Sequence, residues 1–329
     1  MSLKISKIDS RDFSKAEYNA NKDLVVGPKS SYLKIKLSGT DVTYEFLNCI
    51  RRIILNFIPT YAFAKETINI KTNTTNINND MIKLRISQLP LFDIPLDINI
   101  LEDKYWKDVN YTDKNREKHE NDNKIIDMYI KSTNTSNNII NVTTNDIEFY
   151  INEKQKKKYD KTDPILVIQI SPKSEFICHA QAVIGIGYKN DIWSAGTCHY
   201  YDESDYYVMI IKSSGQFTEK EILIKACKFT QQKLQEINIK IEKLNLPTDV
   251  NKFIVVIEDE DFTCCSIINY YIQNHESVLY SGLTKENHNI DTITFKIELK
   301  KNDIHTVFTQ AIKEVSKLFE KFEDIIVKI

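Results

Sequence analysis

No stretch of the sequence carries the roughly 18 consecutive apolar residues that would cross a bilayer. The first residues, MSLKISKIDSRDFSK, lack the uninterrupted apolar core of a secretion signal. Together these absences lead us to expect an intracellular protein with no membrane segment. An excess of one charge is missing too: 44 lysines and arginines stand against 46 aspartates and glutamates, for a net charge of −2. Bulk electrostatics therefore give no support for binding nucleic acid or membrane over the whole surface, and any polyanion contact would be local. Asn73-Thr74-Thr75 and Asn141-Val142-Thr143 are products of a chain rich in Asn, Ile and Lys, and imply no glycosylation.

The usual marks of catalysis are absent as well. There is no glycine-rich phosphate loop, no H-E-x-x-H and no D-x-D-x-D set to hold magnesium. Gly185-x-Gly187 lacks the third glycine that opens a helix in dinucleotide sites, and marks instead a close approach of backbones. His179, His199 and His305 have no evident nucleophile partner and read as structural. None of the six cysteines (49, 178, 198, 227, 264 and 265) forms a C-x-x-C pair, and in a reducing compartment they read as small buried apolar residues. Cys178-His179 and Cys198-His199 offer four zinc-type ligands, but neighbours on a strand point to opposite faces. Only one of each pair could reach a shared ion, so a metal is not expected.

With 329 residues and 42% hydrophobic side chains, the chain can bury a real core, as two domains or as one with an insertion. The stretch from Tyr44 to Leu91 organises the rest. Leu47, Ile50, Ile54 and Phe57, with Phe46, Ile53 and Ile58 beside them, form one broad apolar helical face that needs a partner. Asn48, Arg51, Arg52 and Asn56 lie opposite, Thr40 or Asp41 is available as N-cap, and Pro59 ends the helix.

Before this helix, residues 1–30 are polar and irregular and read as an arm, and Tyr32 to Leu37 alternates as a half-buried strand. After it come a strand over 62–71 and a short helix over 79–89 closed by Pro90. Residues 92–173 read as a β-rich insertion, with strands over 125–130, 147–151 and 165–170 among long polar loops. Its lysine run, 156–158, could touch a phosphate backbone but reads more simply as a solvated loop. Ordered sequence resumes at Glu175, a strand runs from Tyr206, and Thr218-x-x-Glu221 is a capping box opening a long helix to about Asn245, ended by Pro247.

The last segment reads as strand (253–257), helix (263–272), two strands (278–283 and 292–299) and a final helix capped by Asn302 or Asp303. In that helix Ile304, Phe308, Ala311, Val315, Leu318 and Phe322 follow the steps of a coiled-coil-like seam, widened by Val307, Ile312 and Phe319. Such a face must lie on another long helix. Strand, helix, further strands and long amphipathic helix thus occur twice, as in an internal pseudo-dimer.

Particular motifs strengthen this reading. Asn48-Cys49-Ile50-Arg51-Arg52, Ile58-Pro59-Thr60 and Arg85-Ile86-Ser87-Gln88-Leu89-Pro90-Leu91 resemble the signature of the α-type subunits of cellular RNA polymerases. Ala180-x-Ala182-x-x-Gly185-x-Gly187, Trp193-Ser194 and the Ser214-Gly215 turn are similar to later segments of that family. Glu260 to Ile268 and Val278-x-Tyr280-Ser281-Gly282 resemble the small archaeal L-type partner of the α-like subunit. Ser87 stands where the family has glycine, and Phe262, Cys265 and Ser266 depart from the small partner's pattern.

The resemblance implies an α+β fold in which two RNA polymerase α-type dimerisation units in one chain form an internal pseudo-heterodimer. Residues 31–91 plus 174–245 would be the archaeal D-like unit, 92–173 its β-rich insertion, 246–252 a linker, and 253–329 the L-like unit. Leu47, Ile50, Ile54 and Phe57 would pair with Ile304, Phe308, Ala311, Val315, Leu318 and Phe322. Asn48, Arg51, Arg52 and Arg85 would face a large subunit, a role that suits planar, bidentate guanidinium groups. The implied function is that of a non-catalytic assembly platform. It would hold the two large catalytic subunits of a DNA-directed RNA polymerase, with a small zinc-binding polymerase subunit as a further partner and little direct DNA contact.

The fused arrangement resembles one found in large DNA viruses, and the Asn, Ile and Lys bias fits an AT-rich genome. Transcription would then take place in the host cytoplasm, with the protein also in the virion, or in the nucleus. The insertion lacks the cysteine cluster that some relatives use for zinc or an iron-sulfur centre, so no cofactor is expected. An alternative class is a free-standing dimerising adaptor or nucleic-acid-binding protein using the lysine run.

Overall fold

The computed structural model describes residues 3–11, 31–113, 115–156, 159, 164–244, 250–287, 290–300 and 304–329. The chain begins with β1 (Lys4–Arg11), β2 (Tyr32–Ser38), α1 (Tyr44–Asn56), β3 (Thr60–Ala62), β4 (Ile68–Asn73) and α2 (Asn79–Ser87). It continues with β5 (Ile126–Thr133), β6 (Ile140–Thr143), β7 (Ile147–Ile151), β8 (Lys154–Lys156), β9 (Leu166–Ile170) and β10 (Glu175–Gly185). Then follow β11 (Gly196–Asp202), β12 (Tyr207–Ser213) and α3 (Glu219–Glu242). The last elements are β13 (Lys252–Glu258), α4 (Phe262–Gln273), β14 (Val278–Thr284), β15 (Thr292–Leu299) and α5 (Ile304–Lys328).

Two compact units result, one of Met1–Leu55, Gly196–Ser213 and Glu219–Ile329, the other of Asn56–Ala195 and Ser214–Thr218. This division differs from the boundaries expected at 91/92 and 173/174. The cause is β10, whose eleven residues pair with β3 and β4 along one side and with β5 along the other. Residues 92–173 therefore extend the sheet of their flanking segments.

In the first unit an antiparallel sheet runs in the order β1-β2-β12-β11. Leu33, Ile35 and Leu37 of β2 alternate into the core, as its pattern predicts. The segment expected to be an irregular arm contains β1, which pairs with β2 from Lys4 opposite Ser38 to Arg11 opposite Tyr32. An edge strand is held by backbone pairing, so Lys, Ser and Asp along it hide the pattern. Residues 12–30 of that arm lie outside the described residues.

The start of α1 differs from the expectation in its cap. Thr43, not Thr40 or Asp41, offers its Oγ1 to the Phe46 N–H at 3.3 Å, because it directly precedes the first turn. Glu219 opens α3 in a buried position, and its carboxylate accepts from the Ser31 hydroxyl and, at 3.1 Å, from the Ser213 N–H. The rest of the unit is a three-stranded sheet, β13-β15-β14, against which α4 packs. Long helices α3 and α5 lie along one another, and α5 also packs on α4. The expected ends of these helices at Asn245, Pro247, Asn302 and Asp303 lie outside the described residues.

The second unit is built on the sheet β3-β10-β5-β7-β8, with β4 also on β10, and a two-stranded β6-β9 ladder. The strand expected over 62–71 is broken into β3 and β4 by a 3-10 turn at Lys65–Thr67. At Gly185 the close approach is to a side chain and not to a second backbone: a Cβ there would lie 2.6 Å from the Trp193 ring. That indole donates to the Val183 carbonyl at 3.0 Å and packs with Ala62, Ala64 and Tyr111. Lys156 is exposed on β8, and Lys157 and Lys158 lie outside the described residues.

Candidate functional site

The apolar face of α1 is the first candidate. Leu47, Ile50 and Ile54 are fully buried, as are Phe308, Val315, Leu318 and Phe322 of α5, with Ile304 and Ala311 nearly so. Phe46 meets Phe319 and Phe322 edge to face, with ring centroids 5.2 and 5.3 Å apart. These aromatic contacts bring the first amphipathic helix onto the last one.

Phe57 departs from the expected seam. The helix ends at Asn56 with Pro59 close behind, so Phe57 leaves the helical path and stacks on Tyr188 at 5.8 Å within the second unit.

Arg52, expected to face a large subunit, has partners within this chain. Its Nη2 donates to Asp261 Oδ2 at 2.7 Å and its Nε to Thr263 Oγ1 at 2.8 Å. Asp261 is the N-cap of α4, accepting the Thr263 N–H at 2.7 Å through its other oxygen. The guanidinium thus binds the start of α4 within this chain. Beside it, Cys49 of α1 and Cys264 of α4 are in side-chain contact, and that contact together with burial holds the Cys264 thiol well above its usual value.

A second polar link joins α3 to the segment ahead of α4. The Glu260 carboxylate is buried and receives Lys233 Nζ at 3.1 Å and Lys240 Nζ at 2.9 Å. Burial alone would lower the Lys233 ammonium, but Glu260 and Glu236 outweigh it and hold it above its ordinary value. Burial pushes Glu260 upward against the pull of both ammonium groups.

Asn48 and Arg51 remain on the outer flank of α1. Arg51 donates Nε and Nη2 to Asn48 Oδ1 at 3.1 and 2.8 Å, which fixes the guanidinium along the helix. Among the described residues no carboxylate forms a salt bridge with Arg51. Tyr44 continues the same stripe at helical spacing and is exposed, and its ring meets Tyr207 edge-on at 5.5 Å. Sequence reasoning missed Tyr44, although positions 44, 48 and 51 share one face.

Arg85 sits on α2 in the second unit, exposed, and donates to the Val167 carbonyl of β9 at 3.2 Å. No group of three or more His, Cys, Asp and Glu side chains among the described residues could hold a metal ion. Cys178 is buried while its neighbour His179 faces the other way, onto Asp127 at 2.9 Å. Burial pushes the Cys178 and Cys198 thiols up to about 12. Among the described residues no helix is long and apolar enough to cross a membrane.

Comparison with known proteins agrees with this geometry. Residues 34–234 match the model of the RNA polymerase Rpb3/Rpb11 dimerisation domain, which covers well over half of the chain. The chain is also similar to a protein of Acanthamoeba polyphaga mimivirus named, provisionally, as a DNA directed RNA polymerase subunit. The two are 23% identical over 325 residues, covering 90% of each. With its buried helical seam and its matched residues, the chain belongs to the RNA polymerase Rpb3/Rpb11 dimerisation-domain family.

Proposed function

We propose that this protein is a non-catalytic assembly subunit of a viral multisubunit DNA-directed RNA polymerase, and that it carries both partners of an α-type pair in one chain. Residues 31–245, with 92–173 as an insertion, act as the larger partner and 253–329 as the smaller. The observation that carries this reading is the packing of α1 on α4 and α5. Phe46 against Phe319 and Phe322, and Arg52 against Asp261 and Thr263, join the two ends of the sequence in one core. The viral relative supports the viral assignment.

On this reading the Tyr44, Asn48 and Arg51 stripe meets a large catalytic subunit. A guanidinium already held by Asn48, and free of an internal carboxylate partner among the described residues, is prepared to make bidentate contacts outside the chain. The test is co-purification of the large subunits with a tagged chain carrying Tyr44→Ala and Arg51→Ala. We expect reduced recovery from a chain whose circular dichroism and unfolding midpoint are unchanged. Full recovery of both large subunits would overturn the assignment of this stripe.

A further inference from the structure

The two sheets of the first unit differ at corresponding edges. In the four-stranded sheet, β2 has β12 on one side and β1 on the other. In the three-stranded sheet, β13 leads into its helix as β2 does, but among the described residues its one partner strand is β15. Among the described residues, the outer edge of β13 therefore carries backbone donors and acceptors that no strand takes up, and of these the Glu258 carbonyl receives Lys240 Nζ at 2.8 Å.

The residues on this edge are not those of a protected strand. β13 pairs with β15 without a bulge from Lys252 to Glu258 and contains no proline. Its outward face reads Lys252, Ile254, Val256, Glu258, and Ile254 is 68% exposed and Val256 45%. Exposed β-branched residues on a strand edge of unbroken register are what a second strand would cover.

The sequence also favours one occupant. If β13 met a second β13 antiparallel about Val255, Lys252 would lie opposite Glu258, and Ile254 opposite Val256. Both charged rows would then be of opposite sign and the central rows apolar, which is the self-complementarity a twofold interface requires. Lys252 also reaches Glu298 on β15 at 3.7 Å, so in the paired sheet it would lie between two carboxylates. We infer that the free chain associates with a second copy of itself through antiparallel β13–β13 pairing, joining the two three-stranded sheets into one of six strands. This inference does not depend on the polymerase assignment.

Sedimentation velocity on the full chain over a concentration series gives the test. Wild type should show a monomer–dimer equilibrium. Ile254→Lys, at an exposed site, should leave the fold intact and remove the dimer. Lys252→Glu should weaken association by about tenfold, since it places like charges opposite one another at both ends of the twofold pair. Lys252→Glu combined with Glu258→Lys should restore it. A register check uses Lys252→Cys with Glu258→Cys, which should give an interchain disulfide under mild oxidation that neither single variant gives. A chain that stays monomeric throughout, or a dimer unaffected by Ile254→Lys, would overturn the inference.

Discussion

Arg52 of the first amphipathic helix and Asp261 at the start of α4 form an ion pair at 2.7 Å across more than two hundred residues of sequence. Asp261 does two things at once, since one oxygen caps α4 and the other accepts from Arg52. The pair is partly open to solvent, with side-chain exposures of 30% and 20%, so screening limits its strength. Its value lies in direction: a planar guanidinium sets the angle at which the helices meet.

Replacing Arg52 by Ala should therefore lower stability by about 1 kcal/mol, through the bonds to Asp261 and Thr263. Asp261→Ala should cost more, because the cap of α4 is lost as well. A double-mutant cycle followed by urea unfolding should show positive coupling between the two sites, whereas additive losses would place Arg52 outside this contact.

The aromatic cluster makes a larger prediction. Phe46, Phe319 and Phe322 are all fully buried. Phe46→Ala or Phe322→Ala should each cost about 3–5 kcal/mol. Because these residues come from the two ends of the chain, far-ultraviolet circular dichroism and a fluorescent label on α5 should report one shared transition shifted to lower urea. A transition confined to one end of the sequence would contradict the shared core.

The buried thiols predict a pH dependence. Cys178 and Cys198 are pushed up to about 12 by burial, from an ordinary value of 9.0. Above pH 9 the unfolded chain ionises these thiols while the folded chain keeps them protonated, so the unfolded state gains. Their contribution is complete below pH 9 and falls as pH rises toward 12. Lys124 and Lys189, held below their ordinary value by burial, act in the opposite sense. A Cys198→Ala variant separates the effects: its urea midpoint should fall less between pH 8 and pH 10 than that of wild type. Ellman's reagent at pH 8 should find no fast-reacting thiol in the native protein, since all six cysteines are buried.

The long periodic elements were legible in the sequence because burial of one face writes a period into it. Ile304 to Phe322 and Leu47 to Ile54 follow helical steps, and Leu33 to Leu37 follows the alternation of a strand. Edge and long-range features were not legible. β1 shows few apolar side chains because pairing of its backbone, not burial, holds it in place. The partner of Arg52 is set by a contact that no local pattern encodes, so an internal ion pair and an external docking residue look alike in sequence. Phe57 fits the helical spacing of α1, yet the chain turns before reaching it. The merging of residues 92–173 into the neighbouring sheet depends on both edges of β10, and nothing in the polar loops of that stretch records it.

Affinity purification of the tagged full chain from its native source, with quantitative mass spectrometry of what accompanies it, decides whether the chain is a polymerase platform that carries both α-type partners. The prediction is two large catalytic RNA polymerase subunits in amounts equal to the chain itself, with no separate α-type partner of either size. Recovery of the chain without large polymerase subunits, or with a separately encoded small α-type partner seated on α1 and α3, would contradict it.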